Sequence, residues 1–174
     1  DIERNQKRKV FQSDKLKDAE YLGPNSTLLI VEGNSAMGGM AQARDYNKYG
    51  ILAIRGKIIN CLSNSEEDIY QNEEIKLLLS AMNVIPGRYD ASKLRYGKLG
   101  ICVDADSDGY HIGLLIMSAL TYLAPEFIKE GRLYWLRSPL WVVSTGKKRS
   151  YYFDDDEFNA VRGQIKGEIK RCKG

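Results

Sequence analysis

Two short apolar runs, each ending in acidic residues at a glycine-bearing turn, constrain this chain more than any other feature. The first is Thr27-Leu28-Leu29-Ile30-Val31-Glu32, followed by Gly33-Asn34-Ser35-Ala36. The second is Leu99-Gly100-Ile101-Cys102-Val103, which runs straight into Asp104-Ala105-Asp106-Ser107-Asp108-Gly109. Unbroken apolar runs of this length make strands covered on both faces, whereas a half-exposed strand alternates apolar with polar residues. A third run, Ile51-Leu52-Ala53-Ile54, follows Gly50. Helical patterns lie between the runs. Residues 37–45 are rich in small side chains and read as a helix. Ser65 with Asp68 resembles a capping box, and beyond it Ile75, Leu78, Leu79 and Met82 recur at helical spacing. Residues 111–123 form a further helical stretch, apolar nearly all round and therefore expected to be buried. Residues 132–136 and 140–143 read as strands on either side of Ser138-Pro139. This alternation predicts an α/β fold with a mostly parallel sheet flanked by helices.

The organisation follows from the same pattern. Residues 1–26 are polar, lysine-rich and closed by the turn signal Gly23-Pro24-Asn25-Ser26, so they read as a leader or linker. Residues 27–144 carry the domain, and 145–174 form a charged tail with a short helix near 154–162. With 174 residues and 43% hydrophobic side chains, the chain has enough apolar surface for one cored domain and too much for a disordered one. No apolar run approaches the ~18 residues of a membrane helix, so no membrane partner is expected. The three cysteines, Cys61, Cys102 and Cys172, form no C-x-x-C pair and read as reduced thiols of a cytoplasmic protein. A single histidine, His111, rules out a site built on several imidazoles, so any metal must be held mainly by carboxylates. Such oxygen ligands favour Mg²⁺, Mn²⁺ or Ca²⁺ over zinc.

The Asp104-x-Asp106-x-Asp108-Gly109 segment opens like an EF-hand calcium loop. Position 12 of that loop would be Leu115 instead of the required glutamate, and a strand-like segment precedes it, so the EF-hand reading fails. What remains is three carboxylates at the C-terminal end of a buried strand, where open α/β sheets bind their ligands. Such close like charges repel unless a cation neutralises them. The alternative is a solvated acidic turn that caps the next helix. Glu32 gains meaning by position: if its strand and that of Asp104 are parallel neighbours, both acids emerge on one sheet edge. Gly33 would allow the sharp turn there, and Ser35 could open a helix whose amides attract phosphate; a plain capping turn is the other reading.

Basic residues form a third signal. Arg55-Gly56-Lys57 follows the Ile51–Ile54 run, and Arg88, Lys93, Arg95 and Lys98 crowd the approach to Leu99. The spacing from Gly50 to Gly56, and Ile58 after Lys57, exclude a Walker A loop. Cations beside a carboxylate-held metal suit a phosphodiester substrate, although each one alone is an ordinary surface charge. The net charge of +3 permits a polyanionic partner without requiring one. His111 could donate a proton or touch a phosphate, or it could simply begin a buried helix.

Several of these segments, in order, resemble one family. Leu29-Ile30-Val31-Glu32-Gly33-Asn34-Ser35-Ala36 resembles the E-G-D-S-A motif in the TOPRIM domain of type IIA DNA topoisomerases. Arg55-Gly56-Lys57-Ile58-Ile59-Asn60 is similar to that group's R-G-K-I-L-N, Leu94-Arg95-Tyr96 to its L-R-Y, and Asp104 through Ile112 to its D-A-D-x-D-G-x-H-I. Ser138-Pro139-Leu140 resembles its closing x-P-L strand. The resemblance implies a TOPRIM, Rossmann-like fold. It implies that Glu32, Asp104, Asp106 and Asp108 hold one or two Mg²⁺ ions at a scissile DNA phosphate, with Mn²⁺ or Ca²⁺ able to substitute in binding. Glu32 would exchange a proton with the departing 3′ oxygen, and Lys57, Arg55, Arg95, Lys98 and His111 would face DNA. It also implies a companion subunit or region carrying the nucleophilic tyrosine and an upstream ATPase domain. None of the eleven tyrosines here lies in a context matching that nucleophile. The tail resembles the run into the family's K-G-L-G motif, so the chain reads as part of a larger subunit, inert alone. Nucleases and primases share the fold and act without a tyrosine partner, and a non-catalytic docking module is a further alternative. Asn34 departs from the family, which has Asp there, and residues 38–40 are looser than in most members.

Overall fold

The computed structural model describes residues 13–55 and 58–172. Five strands form the main sheet: β1 (Leu16–Lys17), β2 (Gly23–Glu32), β3 (Tyr49–Ile54), β4 (Tyr96–Cys102) and β5 (Leu133–Trp135), in the order β1-β3-β2-β4-β5. β2 is parallel to β3 and β4, and β4 to β5; only the two-residue β1 runs antiparallel. The sheet is thus mostly parallel, as the apolar runs predict. Their lack of alternation has a direct cause, because both faces are covered. Leu28, Ile30, Leu52, Leu99 and Ile101 face one core with α3 (Glu73–Met82), α4 (Ser107–Leu123) and α5 (Pro125–Lys129). Val31, Ile51 and Ala53 face the other side, where Met37 of α1 (Gly33–Ala43) packs on them.

The expected helix after Ser65 is two helices. The capping box is real: Ser65 Oγ accepts from the Asp68 amide at 3.2 Å and starts α2 (Glu66–Gln71). Asn72 then ends α2 and caps α3, its Oδ1 accepting from the Ile75 amide at 3.1 Å. α4 starts four residues earlier than the apolar pattern indicates, because Asp106 supplies the cap. It is also not buried all round. Ile116, Ala119, Leu120 and Leu123 face the core, while Leu114 is 59% exposed and Tyr110 and Met117 also lie open. Among the described residues, no helix is long and apolar enough to cross a membrane.

The described part of the expected leader, residues 13–26, is integrated into the fold. β2 begins at Gly23, four residues before the apolar run, and β1 borders β3. Residues 145–172 are likewise built into structure. A second, antiparallel sheet orders β7 (Lys148–Tyr152), β6 (Trp141–Thr145) and β8 (Glu168–Arg171), and α6 (Asp155–Arg162) presses the buried Phe158 against Trp141 at 4.3 Å between ring centroids.

Candidate metal centre

Register decides where the acids meet. β2 and β4 pair in parallel with Ile30 opposite Ile101 and Val31 opposite Cys102. Glu32 therefore leaves the sheet one residue past Val31, and Asp104 two residues past Cys102, on the same C-terminal edge. Gly33 turns the chain into α1 at φ +72°, a left-handed conformation that side-chain-bearing residues adopt at a cost. Glu32 occupies the N-cap position of α1, yet its carboxylate makes no capping bond.

The second acidic turn is held by α4. Asp106 is the N-cap, and its Oδ1 accepts from the Gly109 amide at 2.8 Å. Asp108 lies in the first turn, where the helix dipole favours a negative charge. Gly109 presses on the backbone of Asp104 so tightly that a Cβ there would sit 2.2 Å from the Asp104 carbonyl oxygen. Close helix-to-strand contact thus locks the turn that presents Asp104 and Asp106. Glu32, Asp104 and Asp108 are exposed and make no hydrogen bond or ion pair among the described residues.

Glu32 feels the three aspartates across the edge. Partial burial, followed by the charges of Asp106, Asp104 and Asp108, raises the Glu32 carboxyl above its usual range. A divalent cation among them would reverse that shift by turning repulsion into attraction. The oxygen-only donor set, with Glu32 free of any cap, fits a hard cation such as Mg²⁺. Among the described residues, no three acidic, imidazole or thiol groups are already closed around a common point. The edge brings the acids together, and ligation requires their side chains to draw in further.

The basic residues divide. Arg55 follows β3 on this same edge, and its guanidinium pairs with Asp14 at 2.6 Å. Lys57 lies outside the described residues. Lys98 stands near the start of β4 with its ammonium over the Tyr134 ring. Six residues of strand, about 20 Å at ~3.3 Å per residue, separate it from Asp104, so it does not reach the acids. His111 is exposed in the second turn of α4. Asn34 is exposed at the start of α1.

Arg95 requires a correction, because it does not face outward. It is only 8% exposed, its Nε donates to the Ala81 carbonyl at 3.0 Å, and Nη2 meets Asp18 at 2.5 Å. The neighbouring Tyr96 hydroxyl donates to the other oxygen of Asp18 at 2.7 Å and accepts from the Ala19 amide at 3.0 Å. Burial and the Asp18 carboxylate both hold the Tyr96 phenol far above its ordinary range, so it stays protonated. The Arg95-Tyr96 pair therefore clamps the segment before β2 to the sheet. Arg95→Ala is expected to lower stability by about 2–3 kcal/mol, short of the full loss for a buried pair because Asp18 can be rehydrated. Urea unfolding checks this, and a change below about 0.5 kcal/mol would contradict the clamp.

Residues 27–136 match the Toprim domain family, a span that runs from within β2 to just past β5 and includes both acidic turns. The chain belongs to that family. This Toprim chain is 40% identical over 163 residues to the DNA gyrase B subunit of Eisenibacter elegans, covering 90% of this chain and 34% of that protein. It is 36% identical to the DNA topoisomerase 4 B subunit of Haemophilus influenzae, covering 84% of this chain and 24% of that one. The crystal structure of the Plasmodium falciparum topoisomerase II DNA-binding, cleavage and re-ligation domain superposes with a TM-score of 0.81 at 27% identity, covering 95% of this chain and 24% of that one. The Toprim chain thus spans a quarter to a third of the length of these relatives. Sequence reasoning missed Arg137 at this edge; its signal is its position two residues past β5, much as Asp104 stands two past β4.

Proposed function

We propose that this chain is the metal-binding part of a DNA cleavage and religation site in an ATP-dependent type IIA topoisomerase acting on cytoplasmic DNA. The observation that carries the reading is the parallel register of β2 and β4, which sets Glu32 beside the Asp104-Asp106-Asp108 turn in a Toprim chain. The kinship with gyrase and topoisomerase 4 B subunits supports the reaction class. Glu32, Asp104, Asp106 and Asp108 would hold one or two Mg²⁺ ions, with Mn²⁺ or Ca²⁺ able to replace it in binding. When bound, the ion supplies Lewis-acid stabilisation to the charge developing on a departing 3′ oxygen.

The residues of the chain divide the remaining work. Glu32 exchanges a proton with the 3′ oxygen, giving it as that oxygen leaves and taking it back on religation. Asp106, fixed by its cap, orients the acidic turn against the scissile phosphate. Arg55 and Lys57 face the DNA backbone. The attacking tyrosine comes from a companion subunit or region, forming a 5′-phosphotyrosine and leaving a free 3′ hydroxyl, and an upstream ATPase domain drives strand passage.

The test is a Mg²⁺-dependent assay on supercoiled DNA. The chain alone is expected to leave the DNA intact, and the enzyme assembled with its tyrosine-bearing partner is expected to relax or cleave it. Nicking by the chain alone that is lost on Glu32→Gln would establish the nuclease reading instead. Unchanged activity of the assembly after alanine substitution at both Asp104 and Asp106 would establish a docking module.

A further inference from the structure

The C-terminal edge of the main sheet carries an ordered row of charges. Reading across β3, β2, β4 and β5, the charged groups at or just past the strand ends are Arg55, Glu32, Asp104 and Arg137. Cation, anion, anion, cation is the order, and the strands lie about 4.8 Å apart. The strands that carry the two arginines, β3 and β5, therefore lie roughly 14 Å apart on either side of the acid-bearing pair. β5 is locked into this arrangement, since Trp135 pairs with Ile101 and the Leu136 amide donates to the Ile101 carbonyl at 2.9 Å. Arg137 and Asp104 line the same crevice, together with Tyr110 and Ser138.

Arg137 also keeps most of its donors. Its side chain is 60% exposed, and its one hydrogen bond among the described residues runs from Nη2 to the Phe153 carbonyl at 3.0 Å. Asp154 forms an exposed ion pair with Arg137 at 3.8 Å, too long for a hydrogen bond, while the other oxygen of Asp154, Oδ1, caps α6 by accepting from the Glu157 amide. The Phe153 ring lies 5.9 Å from the guanidinium and gives it a platform. Arg95 points inward and Lys98 stands at the far end of β4, so neither serves this edge. A DNA backbone approaching four carboxylates needs cations on both flanks, and a guanidinium suits phosphate because its fork donates in pairs.

We infer that Arg137 is a DNA-phosphate contact, holding a backbone phosphate on the β5 side of the acidic cluster while Arg55 takes the β3 side. This deepens the DNA-directed reading above and rests on it. The experiment measures binding of a fluorescent duplex oligonucleotide to the chain in EDTA across a salt series, for wild type, Arg137→Ala, Arg137→Lys and Lys129→Ala. Lys129 ends α5, beyond the other end of the sheet, and serves as the charge-matched control.

Arg137→Ala is expected to weaken binding about fivefold and to reduce the slope of log K against log salt by about one. Arg137→Lys keeps the slope and recovers part of the affinity, and Lys129→Ala behaves as wild type. An Arg137→Ala slope equal to that of wild type or no different from that of Lys129→Ala overturns the inference. So does a lowered melting temperature with unchanged DNA affinity, which would mark Arg137 as a strut for Phe153. Wild type without salt-dependent DNA binding overturns it as well. Calorimetric Mg²⁺ titration of wild type and Asp104→Ala separates the two readings: equal affinities sink the metal site, whereas an unchanged Arg137→Ala slope beside a normal metal response sinks only the phosphate contact.

Discussion

Asp104→Ala is expected to reduce DNA cleavage by the assembled enzyme by about 10²–10³-fold, the range seen when one preorganised group that stabilises developing charge is removed. The carboxylate stands exposed past the end of β4 and makes no hydrogen bond or ion pair among the described residues. Its loss should leave the fold intact, with a melting temperature within a degree or two of wild type. Mg²⁺ affinity should fall at least about tenfold, since even outer partners of a metal site cost that much. Asp104→Asn, which keeps the shape and removes the charge, should behave like alanine. Cleavage within threefold of wild type would show that this carboxylate holds nothing the reaction needs.

Gly109→Ala tests the same turn from the opposite direction, through backbone contact and not charge. Alanine normally favours a helix over glycine by about 1 kcal/mol. Here the added methyl would meet the Asp104 carbonyl oxygen at 2.2 Å, and a carbonyl in the main chain has nowhere cheap to go. Either the first turn of α4 lifts or the acidic turn shifts, and a net destabilisation of about 2–3 kcal/mol is expected. Cleavage should fall with it, because Asp104 and Asp106 no longer present together. Gly163→Ala is the matching control, with nothing within 4 Å of its Cβ. Denaturant unfolding of the two variants side by side provides the measurement, and equal stabilities would remove the claim that helix contact sets the turn.

Much of this was legible in the residues, for physical reasons that differ by element. Apolar runs announce doubly covered strands because no alternation survives when both faces are packed, which is how β2, β3 and β4 could be placed. The Ser65 box and the helical spacing after it were visible because caps and periodicity are local. The pairing of Glu32 with Asp104 needed one further assumption, parallel adjacency, which the sheet order meets. Arg95 could not be read, because its direction is set by Asp18, 77 residues earlier, and a motif match carries no inward or outward sense. The strands after residue 144 are short and mostly charged or polar with no apolar run, so they lack the apolar signal and looked like a tail. The open face of α4 was hidden because apolarity alone does not say which side is covered.

The distance between the two acid-bearing turns is fixed by main-chain pairing from Thr27 opposite Lys98 to Val31 opposite Cys102. Side chains inside the protein do not set it. The sheet behaves as a ruler graduated in peptide units. Volume-preserving exchanges beneath it, such as Leu28→Met, leave the graduation untouched. Adding one residue within β4 would turn every later side chain to the opposite face and move the second turn off its mark. A lineage can therefore rewrite most of its sequence and still superpose, as the TM-score of 0.81 at 27% identity illustrates.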